Sequence, residues 1–451
     1  MADLDAIFKA YDIRGTTPDQ LHPKLARAIG GAFARFAAEQ IGGAQRILIA
    51  RDMRQSGVEL AAAFAEGVQA QGLDVVDLGL ASTDLLYFAA GRLDAPGAMF
   101  TASHNPARYN GLKLCLPGAR PVGEDTGLGT IKAMVAAGVP ASRATPGGRQ
   151  SLDLLREFGT HVRSFVDARV LRPLKVVADT ANGMGGLVVP AVFQGLPFDL
   201  EIMYGDLDGS FPNHPADPIQ AENLVDLQAR VLEVGADVGL AFDGDADRVF
   251  LVDDKGQPVS GSLTTAIVAA SVLEKHPGST ILHNCICSKS VPEVIRERGG
   301  TPVRTRVGHS FIKAVMAETG AAFGGEHSAH YYFRENWKAD SGSIAALMVL
   351  EQLSKQGVPL SELRIPFDRY TASGEINFEV GDPHAVIERV AGAYADASQD
   401  RLDGLTVDHG DWWFNLRASN TEPLLRLNLE ASDQPSCDAR VAELRAHITS
   451  A

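Results

Sequence analysis

Two short clusters in this chain of 451 residues combine side chains that could do phosphate chemistry. In Asp243-Gly-Asp-Ala-Asp-Arg three carboxylates recur at every second residue, so in an extended segment they project from one side. Three anions that close repel unless a cation sits among them, and hard oxygen donors with few other ligands suit Mg²⁺, which keeps coordination positions open for a phosphate oxygen. A calcium loop of the EF-hand type is the rival, helped by Asp254 at the twelfth position. It is disfavoured because the sixth position is Arg248 rather than glycine and the preceding segment is strand-like. A solvated acidic loop is the plainer alternative. In Thr101-Ala-Ser-His-Asn-Pro, Ser103 follows a buried-looking strand and Asn-Pro ends regular structure, so its hydroxyl should be exposed and rigidly held. Alone, that segment reads equally as a capped turn.

Two further clusters are weaker by themselves. Gly324-Gly-Glu-His-Ser offers Glu326 and Ser328 after what reads as a tight glycine turn, a pair that can grip vicinal hydroxyls or form an ordinary surface turn. Arg417-Ala-Ser-Asn-Thr-Glu-Pro concentrates Arg417, Ser419, Asn420 and Thr421 between two strand-like runs, a composition suited to a phosphate dianion or to a structural hairpin. Arg14, Lys113, Arg248 and His309 are each a surface charge or a packed side chain unless the clusters meet.

The elements that must position these groups repeat three times: an apolar strand, a helical stretch, then a second apolar strand ending at a polar cluster. The rounds start at Arg46, Leu174 and Thr280, and they end with Ala98-Met-Phe, Val238-Gly-Leu-Ala-Phe and Ala321-Ala-Phe. Such alternation predicts parallel or mixed sheets with helices on their faces and ligands at the carboxyl ends of the strands. The last eighty or so residues alternate like antiparallel strands instead. The expected architecture is therefore three successive mixed-sheet α/β domains of similar topology plus a smaller C-terminal α+β domain around a central cleft, with boundaries at 1–150, 151–256, 257–366 and 367–451.

A chain of this length needs several cores. With 45% apolar and 22% charged residues and a formal net charge of −15, it reads as a globular protein whose long-range field repels nucleic acid and anionic membranes. The N-terminal residues lack the basic and apolar segments of a signal peptide and no apolar run is long enough for a span, so the expected location is the cytoplasm. The four cysteines make no disulfide framework and read as packing residues.

Taken in order, Tyr11-Asp-Ile-Arg-Gly, Thr101-Ala-Ser-His-Asn-Pro, Asp243-Gly-Asp-Ala-Asp-Arg, Gly325-Glu-His-Ser and Arg417-Ala-Ser-Asn-Thr-Glu-Pro closely resemble the α-D-phosphohexomutase superfamily, and within it the bacterial phosphomannomutases. The resemblance runs from about residue 8 to residue 430. It implies four domains that each lend one loop to a cleft, and an isomerase that interconverts hexose 6-phosphate and hexose 1-phosphate, with mannose or glucose as the sugar. The phosphoryl group travels through phospho-Ser103 and a hexose 1,6-bisphosphate intermediate. Mg²⁺ is then expected on Asp243, Asp245, Asp247 and an oxygen of phospho-Ser103, with Arg14 and Arg248 sharing the charge. Lys113 and His104 are both candidates for proton transfer, and the choice between them stays open. Glu326, Ser328 and His309 are expected to bind the sugar. Arg417, Ser419, Asn420 and Thr421 are expected to bind the phosphate that does not react. Some relatives carry a lysine where Ile286 stands, so that substrate contact is either missing here or supplied instead by Lys289 or His309. A phosphoglucosamine mutase, an aspartate-nucleophile sugar phosphatase and a silent sugar-phosphate sensor are the alternatives.

Overall fold

The computed structural model describes residues 3–43, 45–142, 144–419 and 424–449. They divide into two compact units, Met1–Ser260 with Ser328–Leu363, and Gly261–His327 with Arg364–Ala451. The third strand, helix, strand round, from Thr280 to Phe323, lies wholly in the second unit, whereas the segment expected as one domain at 257–366 has residues in both, a division that linear periodicity does not express.

In the first unit, strands β1 (Ile13–Thr16), β2 (Arg46–Arg51), β3 (Asp74–Leu80), β4 (Gly97–Phe100), β5 (Tyr109–Leu116), β6 (Arg120–Pro121) and β7 (Arg149–Ser151) form one mixed sheet. Its order is β1-β5-β4-β2-β3-β7, with β6 beside β5. β4, β2, β3 and β7 run parallel, while β5 is antiparallel to both β4 and β1. The inner strands are buried on both faces, which is why Ile47-Leu-Ile-Ala and Gly97-Ala-Met-Phe are continuously apolar rather than alternating. Under them the helices Pro23–Gln40 and Ser56–Gln69 cross closely, since a Cβ at Gly67 would lie 2.0 Å from the Arg27 carbonyl oxygen. Phe64 on the second helix meets Phe100 of β4 edge-on at 5.4 Å, and burying such a ring is worth about 1.5–3 kcal/mol. This packing fixes the floor under the carboxyl ends of β2 and β4.

Strands β8 (Lys175–Asp179), β9 (Asp199–Met203), β10 (Val238–Phe242), β11 (Val249–Asp253) and β12 (Pro258–Val259) form the second mixed sheet, ordered β12-β11-β10-β8-β9. Here β9, β8 and β10 are parallel, and β11 returns antiparallel to β10. The helices Thr83–Arg92 and Gly342–Gln356 start at N-cap serines, Ser82 and Ser341, whose hydroxyls accept from the backbone of Leu85 and Ile344. Both hydroxyls also donate to the buried Asp84, that of Ser341 at 2.6 Å, so one carboxylate ties two helix starts together.

In the second unit, β13 (Thr280–Asn284), β14 (Thr301–Thr305) and β15 (Phe323–Gly325) run parallel in the order β14-β13-β15. β16 (Tyr331–Phe333) follows in the chain and belongs to the first unit. The expected glycine turn is corrected here: Gly324 and Gly325 are strand residues. A Cβ on Gly325 would meet the Thr265 side chain at 2.4 Å, so these glycines admit a helix against the sheet rather than bend the chain. The C-terminal part is wholly antiparallel. Its strands β17 (Thr371–Phe378), β18 (Ser398–Asp400), β19 (Leu405–Asp408), β20 (Trp412–Ala418) and β21 (Leu425–Ala431) are ordered β17-β21-β20-β19-β18. The helices Pro383–Ala393 and Gln434–Thr449 cover a core that includes Phe414, Leu416 and Leu427. Among the described residues no helix is long and apolar enough to cross a membrane.

Candidate active site

The chain leaves β4 at Phe100 and turns at once, with Ser103 in the left-handed region at φ 48°. A non-glycine residue there is held by its surroundings. The Ser103 backbone N–H donates to Thr101 Oγ1 at 2.9 Å, and Asn105 N–H donates to the Ala102 carbonyl at 3.0 Å. The expectation of an exposed hydroxyl is corrected, for Ser103 is only 4% exposed. The loop after β10 covers it: a Cβ on Gly244 would lie 2.4 Å from the Ser103 carbonyl oxygen, so glycine is what permits the two backbones to touch.

That second loop joins β10 to the antiparallel β11 and carries Asp243, Asp245 and Asp247, all buried, with a carboxylate oxygen of each within 4.8 Å of the others. Ser103 Oγ donates to Asp243 Oδ2 at 2.7 Å. Arg248 Nε donates to the same oxygen at 2.8 Å. Asp245 Oδ2 accepts from Thr83 Oγ1 at 2.5 Å and from Lys113 Nζ at 2.7 Å, and Lys113 Nζ also reaches Asp247 Oδ2 at 2.6 Å. The outer oxygens, Oδ1 of Asp245 and of Asp247, are buried without a hydrogen-bond partner. Orphaned acceptors on two of three converging carboxylates fit a divalent cation, which would take up the capacity these atoms leave unused. The calcium-loop alternative loses its twelfth ligand, because Asp254 accepts instead from the backbone N–H and hydroxyl of Ser361.

Burial raises the Asp243 carboxyl to about 7, with Arg248 pulling the other way and Asp247 and Asp245 adding to the rise. Asp245 is held below the ordinary range: burial opposes this, but the Lys113 charge and the hydrogen bonds from Lys113 and Thr83 prevail. Burial would lower Lys113, yet Asp245 and Asp247 hold its pKa well above that of a free lysine. The ammonium therefore keeps its proton. Burial, Arg248 and Arg14 all push His104 well below the usual histidine value. Its Nδ1 accepts from Arg248 Nη2 at 2.8 Å and lies 3.4 Å from Ser103 Oγ. As arranged, neither proton-transfer candidate is poised as a base toward Ser103.

Arg14, on β1, donates from Nη1 to Asn105 Oδ1 at 2.6 Å and from Nη2 to Asp12 at 2.5 Å, and its buried Nε has no partner. Two further groups of this unit escaped the sequence reading. His330 Nδ1 lies 2.8 Å from Asp340 Oδ2 and 3.9 Å from Asp247 Oδ1; burial would lower its pKa, but the two carboxylates hold it above the ordinary value. Arg54 is 1% exposed and binds the Ser103 loop from behind. The signal for it was present, since Arg51-Asp-Met-Arg54 stands at the carboxyl end of a strand as the other clusters do.

In the second unit Glu326 is buried, its Oε1 accepting from Asn284 Nδ2 at 3.2 Å and Gly308 N–H at 3.0 Å. Arg417 is buried beside Glu375, 3.4 Å away, and keeps an Nε without a partner. Ser419 N–H donates to the Leu424 carbonyl at 2.8 Å. Asn420 and Thr421 lie outside the described residues, as does the side chain of His309, which begins the helix His309–Thr319. Ile286 is buried, and Lys289 is occupied by Asp408 and the Gly410 carbonyl, each at 2.8 Å. The four cysteines are buried and none forms a disulfide. Ser328 is half-buried and belongs to the first unit.

Four family models match in chain order. They are described as phosphoglucomutase/phosphomannomutase alpha/beta/alpha domain I at residues 5–139, domain II at 156–256, domain III at 260–370, and the C-terminal domain at 375–447. Among curated relatives, the phosphohexose mutases of Xanthomonas campestris are 41% identical over 97% of this chain and 98% of theirs. The phosphomannomutase of Salmonella montevideo is 40% identical over 97% of each chain. Among solved structures, a phosphoglucomutase/phosphomannomutase family protein from Burkholderia thailandensis superposes with a TM-score of 0.91 at 32% identity, covering 99% of this chain and 98% of that one.

Proposed function

Because the chain belongs to the phosphoglucomutase/phosphomannomutase family and is a phosphohexomutase, an isomerase by class, we propose that it interconverts hexose 6-phosphate and hexose 1-phosphate with Ser103 as the phosphoryl carrier. The observation that carries the assignment is Ser103 Oγ, 2.7 Å from Asp243, one of three buried aspartates. In the forward step the bond from phosphorus to Ser103 Oγ breaks and a bond to the free sugar hydroxyl oxygen forms. The sugar hydroxyl gives up its proton and Ser103 Oγ regains one. The hexose 1,6-bisphosphate then turns and returns its other phosphoryl group to Ser103.

Such a transfer needs positioning and charge neutralisation more than covalent help. The family is metal-dependent and the aspartate trio suits a hard cation; Asp243, Asp245, Asp247 and phospho-Ser103 would hold Mg²⁺, which would supply electrophilic stabilisation. Lys113 and Arg248 neutralise the carboxylates, and Arg14, whose Nε is unpaired, shares the charge of the transferring group. Lys113 acts through charge, and His104 takes the part of a neutral hydrogen-bonding group beside Ser103. Arg417, Ser419, Asn420 and Thr421 hold the phosphate that is not reacting. Glu326, Ser328 and His309 take the sugar hydroxyls, and mannose is the preferred sugar, with glucose, which differs only at C2, also turned over. An aspartate-nucleophile phosphatase fits less well, because Asp243 Oδ2 already accepts from both Ser103 and Arg248.

Ser103→Ala removes the carrier and not the packing. Turnover with mannose 1-phosphate should fall by about four orders of magnitude or more while substrate affinity holds. Near-normal turnover in the folded variant, or an acid-labile acyl phosphate on intact-mass analysis of the wild type, would refute the assignment.

A further inference from the structure

The Ser103 loop is gripped by a group that touches neither the aspartate trio nor any atom the reaction transfers. Arg54 lies just beyond β2, and each of its five guanidinium N–H groups has an acceptor. Nε donates to Asp52 Oδ2 at 3.1 Å. Nη1 donates to the carbonyls of Pro106 at 2.9 Å and Tyr109 at 3.0 Å. Nη2 donates to the carbonyls of Ser103 at 2.8 Å and Asn105 at 2.6 Å. Four of the five bonds thus fall on the backbone between the strained serine itself and the start of β5. The anchor is equally fixed: Asp52 Oδ1 accepts from the Arg54 backbone N–H at 2.9 Å, and Asp52 N–H donates to the Phe100 carbonyl at the end of β4, also at 2.9 Å. On the far side the Phe211 ring lies 5.1 Å from the guanidinium carbon. A Cβ on Gly209 would come within 2.7 Å of the Arg54 Cα, so a second stretch of backbone packs directly against the backbone that carries the side chain.

A buried cation that made only one ion pair would be a structural residue and nothing more. Here the donors match the loop carbonyls one for one, and a planar fork with five donors cannot be replaced by an ammonium with three. We propose that Arg54 is the positioning residue for phosphoryl transfer. It holds Ser103 at its left-handed φ so that Oγ stays aimed at Asp243 whether or not it carries phosphate. The proposal rests on Ser103 being the carrier. Its consequence is kinetic: a loop free to relax misdirects Oγ without altering the groups that bind the sugar.

The test is Arg54→Lys in the full chain, assayed with glucose 1-phosphate and with the 1,6-bisphosphate as phosphoryl donor. A misplacement of about 1 Å costs about 10²-fold, so kcat should fall by about that factor. KM should stay within about threefold, and phosphate uptake on Ser103, followed by intact mass, should slow in step with kcat. A folded Arg54→Lys protein with kcat near wild type overturns the proposal, as does a raised KM at constant kcat. If Arg54→Lys does not fold, Asp52→Asn decides by the same split. Releasing the anchor should lower kcat about tenfold at unchanged KM, and an unaltered kcat overturns the proposal. Wild-type protein that takes no phosphate on Ser103 brings down the carrier assignment and this proposal together. A variant that loads and passes phosphate at the wild-type rate brings down the proposal alone.

Discussion

Lys113 is the cation whose removal separates the electrostatic roles at the site most cleanly. Its ammonium lies 2.7 Å from Asp245 and 2.6 Å from Asp247, with the side chain about 10% exposed. Three carboxylates against Lys113 and Arg248 leave the trio near one net negative charge, and Lys113→Met leaves it near two. Breaking a buried pair by deleting one partner costs about 3–5 kcal/mol. At about 2–4 °C per kcal/mol, the transition of the first unit should drop by about 6–20 °C in chelator. Magnesium should reverse much of that drop. An ammonium and a divalent ion that share two carboxylates repel, and even two unit charges 4 Å apart interact by about 4 kcal/mol at an effective dielectric constant of 20. With most of that lost to relaxation, the variant should still bind Mg²⁺ at least about tenfold more tightly than wild type, about 1.4 kcal/mol. Scanning calorimetry of both proteins in chelator and in millimolar Mg²⁺, with the ion's affinity measured by titration, gives both quantities. A Mg²⁺-induced shift of the same size in both proteins, or no loss in chelator, would refute the shared-carboxylate argument.

Two further perturbations probe how the loops are held. Gly244→Ala puts a methyl group against the Ser103 carbonyl, so stability should fall by about 1–3 kcal/mol and kcat by about 10²-fold; a fully active, equally stable variant would show that the loops can separate freely. Asp84 is raised from 3.8 to about 7, first by burial. A carboxyl raised on folding contributes stability that is complete below pH 4 and is lost as pH climbs through 7, a change on the order of 4 kcal/mol. Asp84→Asn should therefore melt above wild type at pH 8 and close to it at pH 4, and parallel Tm-against-pH curves for the two proteins would rule this out.

Much of this arrangement was legible in the chain because strand ends are legible. Apolar runs that stop at Phe100 and Phe242 place Ser103 and Asp243 at carboxyl ends of parallel strands without any knowledge of contacts. What periodicity does not carry is which groups meet across long separations. Lys113 and His104 are equivalent as proton carriers on paper. Only tertiary contact shows the ammonium locked between aspartates more than 130 residues away and the imidazole turned to Arg248. The five-bond grip of Arg54 was missed for the same reason, its acceptors lying about 50 residues downstream. Gly324-Gly325 misled in the opposite direction, since a glycine pair signals a turn locally yet serves here to admit Thr265 against the strand.

The charge count at Ser103 also explains why an acidic protein can act on dianions. Surface carboxylates are screened over about 8 Å, so the total of −15 matters little inside a buried loop cluster. Locally, three ionised aspartates already exceed Lys113 and Arg248 by one charge, and burial raises the Asp243 carboxyl, which makes that excess harder to hold. A phosphoryl group on Ser103 adds about 1.5 to 2 further negative charges beside them. Arg54 and Arg14, which both hold the loop, offer little slack, because Arg54 has spent four donors on backbone carbonyls and the fifth on Asp52, and Arg14 has only its Nε unpaired. Phosphate on the serine and a divalent ion on the aspartates must then favour each other's binding by the same factor, since each removes the charge excess that the other creates.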